Sequence, residues 1–311
     1  MRRCWSAHRP LSEPDSKLFN LKRVGSRWPA PVAAVVRPPL EHVLAFSRLN
    51  AIYDEIRDQT HAPTTPRGFC ETVLDKLNLA VQVTQADLER IPTEGPLVVM
   101  ANHPFGGIEG LILANLLLSV RQDVKVLANY LLGTIPDIHP VCIFVDPFNG
   151  PEAYSRNVRA LKQAMRWVRD GGVLGVFPAP EVARLDLARR RIADPRWSEH
   201  MASLARRNSA SVTPVYLAGA NGPLFQMAGL IHPRLRTALL PRQVVNKRHR
   251  TVRVHVGAEI PARRLTEFDS DKQAIDYLRL RTYALRGRPR RLRPKRKGRR
   301  GLRRLPRFGK T

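Results

Sequence analysis

The stretch Leu97-Val-Val-Met-Ala101, Asn102-His-Pro-Phe-Gly-Gly107, Ile108-Glu-Gly-Leu-Ile-Leu-Ala-Asn-Leu-Leu-Leu118 passes from a short apolar run through a glycine-bearing loop into a longer apolar run. Five apolar residues rich in β-branched side chains, opened by the turn signal Gly95-Pro96, predict a strand buried on both faces. The run from Ile108 to about Val120 is too long for a strand and predicts an apolar helix. A loop leaving the C-terminal end of a buried strand is where an α/β sheet binds its ligands. His103 and Glu109 are therefore the first residues to weigh for chemistry.

Working outward, the apolar spacing predicts helices over Glu41 to Arg57 and Phe69 to Leu77, then a strand at Ala80 to Val83. Strands follow at Val124 to Leu127, Cys142 to Val145 and Val173 to Phe177, with an amphipathic helix over Ala153 to Arg169 between the last two. Strands at Ser211 to Leu217 and Thr251 to Val256 and a helix near Asp271 to Leu285 complete the pattern. This rhythm predicts an α/β fold, a mixed and mostly parallel sheet flanked by helices, spanning residues 40–285. Residues 1–39 read as a poorly ordered leader, and 286–311 as a disordered basic tail with too few apolar groups to offset its ordering entropy.

The chain has 311 residues, 43% of them hydrophobic, which is enough for a real core. Lys+Arg 53 against Asp+Glu 26 gives +27; residues 286–311 hold fourteen of the cations and no acid, so +13 remains on the rest. A polyanionic partner is expected, and both nucleic acid and an anionic membrane surface qualify. The tail has one aromatic, Phe308, and no folded nucleic-acid module precedes it, so nucleic-acid binding would be non-specific. Cys4, Cys70 and Cys142 lack metal-ligand spacing and cannot all pair, which fits a reducing cytosol. No run approaches the ~18–20 apolar residues of a spanning helix, and the start is not that of a signal peptide. There is no CxxC, HExxH, Walker loop or GxGxxG, so zinc, nucleotide hydrolysis and dinucleotide redox chemistry have no support.

A His on such a loop, with a carboxylate six residues later and Gly106-Gly107 between them, can form a general base and its orienting partner. On spacing alone, His103 reads rather as a turn histidine and Glu109 as a favourable charge at a helix N-terminus. Arg156 and Asn157 follow the Asp146-Pro147 turn and are candidates to touch acceptor or donor, or simply line a solvated helix face. Glu181 after a strand end is a candidate hydrogen-bond partner for an acceptor, or a cap. Pro214 and Gly219 read as backbone-shaping residues; His139, His200 and His255 lack ligand-like spacing.

Four ordered blocks add a resemblance. IPTEGPLVVMANHPFGGIEGLILANLL (91–117) resembles the first block of the PlsC-like glycerolipid acyltransferases, a His followed after a short spacer by an acid. Residues 126–157, 171–183 (GGVLGVFPAPEVA) and 211–236 resemble the second, third and fourth. The spacer is one longer than the family's usual four, as in the hemolysin-like and ornithine-lipid-type branch. The resemblance implies the PlsC-like fold, His103 as base, Glu109 as its partner, and Asn102, Gly106, Gly107, Arg156, Asn157, Pro178 and Glu181 around the substrates. It implies no cofactor and no metal, an acyl carrier protein or coenzyme A thioester as donor, and a lysolipid hydroxyl as acceptor, with helix-start amides at Ile108 as oxyanion donors. Such an enzyme is expected in the cytoplasm, peripheral to the inner face of the cell membrane. Ala179, Pro180 and Val182 stand where the glycerol-phosphate enzymes resemble Glu, Gly and Arg, so a phosphate-free acceptor such as lyso-ornithine lipid is expected unless Arg184 or Arg156 substitutes. The competing class is a decayed acyltransferase-like protein that binds nucleic acid or membrane through its tail.

Overall fold

Leu97, Val99 and Ala101 of the quoted strand enter one hydrophobic core and Val98 and Met100 enter another, all five fully buried. A strand's side chains alternate with period two, so this division means the strand is covered on both faces. The computed structural model describes residues 39–57, 65–146, 151–287 and 303–304. The expected leader up to residue 38 and all but two residues of the tail beyond 287 lie outside the described residues.

In chain order come α1 (Phe46–Arg57), α2 (Pro66–Lys76), β1 (Ala80–Val83), α3 (Gln85–Leu88), β2 (Leu97–Ala101) and α4 (Ile108–Leu118). Then follow β3 (Val124–Asn129), β4 (Cys142–Val145), α5 (Pro151–Arg169), β5 (Val173–Val176), β6 (Arg184–Asp186), β7 (Arg191–Ala193) and α6 (Glu199–Arg207). The last elements are β8 (Ser211–Leu217), α7 (Pro223–Ile231), α8 (Pro233–Ala238), α9 (Leu240–Val245), β9 (Thr251–Val256), α10 (Ala262–Thr266), α11 (Asp271–Ala284) and β10 (Arg303–Arg304). The main sheet runs β10-β1-β9-β8-β2-β5-β3-β4, and β6 and β7 form a separate hairpin. Pairing is parallel throughout β1·β9, β8·β2, β2·β5, β5·β3 and β3·β4, and antiparallel at β8·β9 and β1·β10. The expected α/β fold with a mixed, mostly parallel sheet is the one observed.

Helices cover both faces because their apolar stripes match them. On α5, Ala160, Ala164 and Val168 fall at four-residue spacing and join the core that holds Val98 and Met100, together with residues of α6 and α11. α4 is apolar all round because it is covered all round: Ile112, Leu113, Leu116 and Leu117 are fully buried in the opposite core, with Phe69 and Leu74 of α2. Among the described residues no helix is long and apolar enough to cross a membrane.

One expected element is broken. A single helix over Glu41 to Arg57 is interrupted by a turn at Leu44–Ala45, where Ala45 has φ +63°. Leu44 and Phe46 are both buried in one small cluster with Leu40 and Leu239. Residues two apart on a continuous helix face opposite sides, so burying both together requires the break.

Candidate active site

β2, β5 and β8 are mutually parallel and end on the same edge of the sheet, so the loops that leave them meet. The loop after β2 is pinned at every residue that matters. Asn102 turns its side chain sideways: Nδ2 donates to the Leu217 carbonyl (3.0 Å) and Oδ1 accepts from the Leu217 amide (2.7 Å), tying the loop to the end of β8. The His103 amide donates to both oxygens of Asp194 (3.1 and 3.2 Å), and its carbonyl accepts from Ala183 N (2.8 Å). The Phe105 carbonyl accepts from Asn221 Nδ2 (2.8 Å).

The chain then reverses on itself. Gly106 has φ +92°, and a side chain there would run into Leu240 and Val182, so only glycine serves. Gly219, at φ +143°, lets the Phe105 ring approach its Cα side closely; a Cβ would stand 2.6 Å from that ring. The reversal aims three successive amides at one group: Phe105 N (2.9 Å) and Gly106 N donate to Glu109 Oε1, and Gly107 N donates to Oε2 (2.7 Å). Glu109 is fully buried in the first turn of α4. Its Oε1 also lies 2.8 Å from His103 Nδ1, a close ion-pair contact that is not a linear hydrogen bond.

The electrostatics follow from this packing. Burial pushes the Glu109 carboxyl up, but the contact with His103 and the Gly106 and Gly107 amides outweigh it and hold the group well below the carboxylate range. Burial pushes His103 down, and Glu109, helped by the charge of Asp194, more than reverses that, leaving its pKa above the ordinary value. Asp194 itself is raised, chiefly by burial, against the opposing bonds from Trp197 and the His103 amide. With Nδ1 facing a carboxylate, Nε2 is the ring atom left to take a proton from a substrate. The ring is 22% exposed and stacks on Phe177, centroids 5.0 Å apart. A fixed, partly accessible imidazole backed by a buried carboxylate is the arrangement of a general base.

The residues singled out in the sequence divide into two groups. His103, Glu109, Gly106, Gly107 and Asn102 form one unit, with Asn102 committed to the β8 backbone. Pro178 is buried and its carbonyl accepts from Ser198 N (2.9 Å). Glu181 is half exposed and receives Arg236 of α8 directly, with Arg184 at 3.7 Å. Arg156 and Asn157 belong elsewhere: Asn157 bonds the amide and carbonyl of Asp146, and Arg156 pairs with the Asp146 carboxylate (2.7 Å). They hold the end of β4, three strand positions from β2, or ~14 Å across the sheet. The helix-start amides expected to face an oxyanion are occupied as far as Gly107, which bonds Glu109, and Gly110 N bonds the Gly107 carbonyl (3.0 Å).

Sequence reasoning missed Asp194, Arg236 and Lys247. Asp194 is held by Trp197 Nε1 (2.9 Å) and reaches the loop only through tertiary folding. Lys247 Nζ donates to Asn221 Oδ1 (3.0 Å) and lies 4.7 Å from the Phe105 ring centre; burial pulls its pKa down to about 8 against the attraction of Glu109. Arg236, from the fourth block, is buried and contacts Glu181 of the third.

A family model described as Acyltransferase matches residues 50–288. The lyso-glycine lipid O-acyltransferase of Phocaeicola vulgatus is 24% identical over 229 residues, 71% of this chain and 77% of that protein. The enzyme of the same name from Bacteroides thetaiotaomicron is 24% identical over 257 residues, 79% of this chain and 88% of that protein. Among solved structures, the 1-acyl-sn-glycerophosphate (LPA) acyltransferase PlsC from Thermotoga maritima is similar with TM-score 0.44 and 15% identity, covering 79% of this chain and 93% of that one.

Proposed function

The chain belongs to the acyltransferase family, and on that premise we propose that it transfers a fatty acyl group from a thioester to the hydroxyl of a lysolipid at a membrane surface. The observation that carries this reading is the buried Glu109 carboxylate 2.8 Å from His103 Nδ1 on the loop after β2. Nε2 of His103 takes the acceptor's hydroxyl proton, and the oxygen attacks the thioester carbonyl. The tetrahedral intermediate collapses, the ester forms, and the C–S bond breaks. The proton returns from the imidazolium to the departing thiolate. Glu109 stabilises the imidazolium while it exists and keeps the neutral ring in the Nδ1–H tautomer. The donor is an acyl carrier protein or coenzyme A thioester; the basic surface favours encounter with either anion.

The acceptor is a lyso-aminolipid with an amino-acid head group, glycine or ornithine. Two guanidiniums, Arg236 and Arg184, share the single carboxylate of Glu181, leaving a net charge near +1 at the loop beside the catalytic His. That suits a monoanionic carboxylate better than a phosphate monoester, which needs two compensating charges and a free planar clamp. The names of the two curated relatives support the same reading. Purified protein given radiolabelled acyl thioesters and a panel of lyso-glycine lipid, lyso-ornithine lipid and lysophosphatidate tests it. A higher kcat/KM on an amino-acid lysolipid is expected; preference for lysophosphatidate, lost on Arg184→Ala or Arg236→Ala, would refute the acceptor assignment.

A further inference from the structure

α7 turns an apolar stripe to solvent. Leu224, Met227, Leu230 and Ile231 recur at three- and four-residue spacing and are 51–76% exposed, and Leu235 of α8 extends the stripe. The opposite side of α7 is ordinary core, with Phe225 and Ala228 buried. Scattered exposed apolar residues are normal on a soluble surface, whereas a contiguous set of five marks a contact. The β6–β7 hairpin stands against the same helix, held by the Leu185 amide on Gln226 Oε1 (2.9 Å). Its turn presents Leu187, 64% exposed, followed by exposed Arg189, Arg190 and Arg191.

Charge identifies the occupant. The hairpin beside the stripe exposes four cations, Arg184, Arg189, Arg190 and Arg191, against the two acids Glu181 and Asp186. Apolar side chains framed by cations match an anionic bilayer, whose acyl boundary accepts the apolar groups and whose head groups accept the guanidiniums. We propose that α7, the start of α8 and the β6–β7 turn are the face by which this protein lies on an anionic lipid surface, with the α7 stripe at the head-group boundary. The proposal deepens the membrane-surface reading above and rests on it for its purpose. α7 starts two residues after Asn221, which holds the Phe105 carbonyl. The hairpin starts directly after Ala183, which holds the His103 carbonyl. A leaflet seated on this face therefore meets the mouth of the candidate active site, where a bilayer-resident acceptor would enter.

The test is vesicle flotation of the full-length parent and a Met227→Asp/Ile231→Asp variant, with phosphatidylcholine vesicles containing or lacking phosphatidylglycerol. Both substitutions are at exposed positions, and a thermal melt checks that the fold is kept. The parent should float with the anionic vesicles only, and the variant's partition should fall about tenfold or more. A separate Met227→Trp variant should shift its emission to the blue on those vesicles and be quenched by brominated lipid. Equal flotation of parent and double variant, with Met227→Trp unshifted, overturns the proposal and leaves the tail as the anchor. A parent that sediments as a dimer, becoming monomeric in the double variant with vesicle binding unmoved, would assign the face to a second copy of the chain. Acyl transfer to a detergent-dispersed acceptor, measured in parallel, separates the two readings: its absence in the parent strikes the enzymatic assignment, while flotation does not depend on turnover.

Discussion

Replacing Glu109 with Gln removes one charge and no heavy atom, so its consequences are electrostatic. Oε1 of Glu109 accepts from Phe105 N and Gly106 N and faces His103 Nδ1, while Oε2 accepts from Gly107 N. A glutamine placing its oxygen at the first position keeps two amide bonds and sets its NH₂ against the Gly107 amide, donor against donor. The flipped amide orphans two loop amides and opposes Nδ1–H as well. The first rotamer wins, leaving the Gly107 N–H and the new side-chain NH₂ without acceptors, each at a cost of roughly 1–3 kcal/mol. Turnover suffers more, because the imidazolium formed in the reaction loses its counter-charge while the oxygen facing Nδ1 still accepts from the neutral ring; a drop of about 10²–10⁴ in kcat follows. The pH profile supplies the decisive sign. His103 is raised by Glu109, so the acid limb of kcat/KM lies above the ordinary imidazole range in the parent and moves to lower pH in Glu109→Gln, where burial is less opposed. Stability changes in the opposite window. The depressed Glu109 carboxyl stabilises the fold above the unfolded carboxylate pKa, and this is lost as pH falls through the folded value, so the melts of parent and variant should converge toward acid. Steady-state rates across pH and melts of both proteins measure all of this. A variant as active as the parent, or an acid limb that does not move, would refute the orienting role.

Asp194→Asn keeps the size of a group that accepts the His103 amide and Trp197 Nε1. Because Asp194 raises His103 less than Glu109 does, its acid limb should shift in the same direction by less, and an unmet buried bond should lower stability by ~1–3 kcal/mol in denaturant titration. Gly106→Ala should destabilise by about 1–3 kcal/mol, since a methyl at φ +92° meets Leu240 and Val182; an unchanged Tm would show that the loop has room the packing denies it.

How far the sequence carried the account depends on range. β2 and α4 were legible because burial on both faces leaves a continuous apolar run, and the Glu109–His103 pairing because spacing and resemblance converge on it. The amide cradle was not legible: the direction of the Phe105, Gly106 and Gly107 N–H bonds is set by the left-handed turn at Gly106, which a sequence marks only as a glycine. Asp194, 91 residues from the amide it holds, follows a hairpin whose strands are three residues long and rich in arginine, without a readable period. α7 to α9 were missed because their prolines fall at helix starts and look like loop signals. Arg156 and Asn157 read as substrate contacts because they open a helix after a strand; the strand is at the sheet's far edge, which only the topology reveals.

The account stands on His103 acting as the base, and one measurement tests it most directly. Single-turnover transfer from a radiolabelled acyl thioester to a lyso-aminolipid is followed for the parent and for His103→Ala, with vesicle flotation and thermal melts confirming that both are folded and bind alike. The parent should form the diacylated product, and the variant should be slower by ~10²–10⁴ at unchanged binding. Transfer by His103→Ala at the parent's rate, or no transfer by the parent beside intact vesicle binding, would contradict the account.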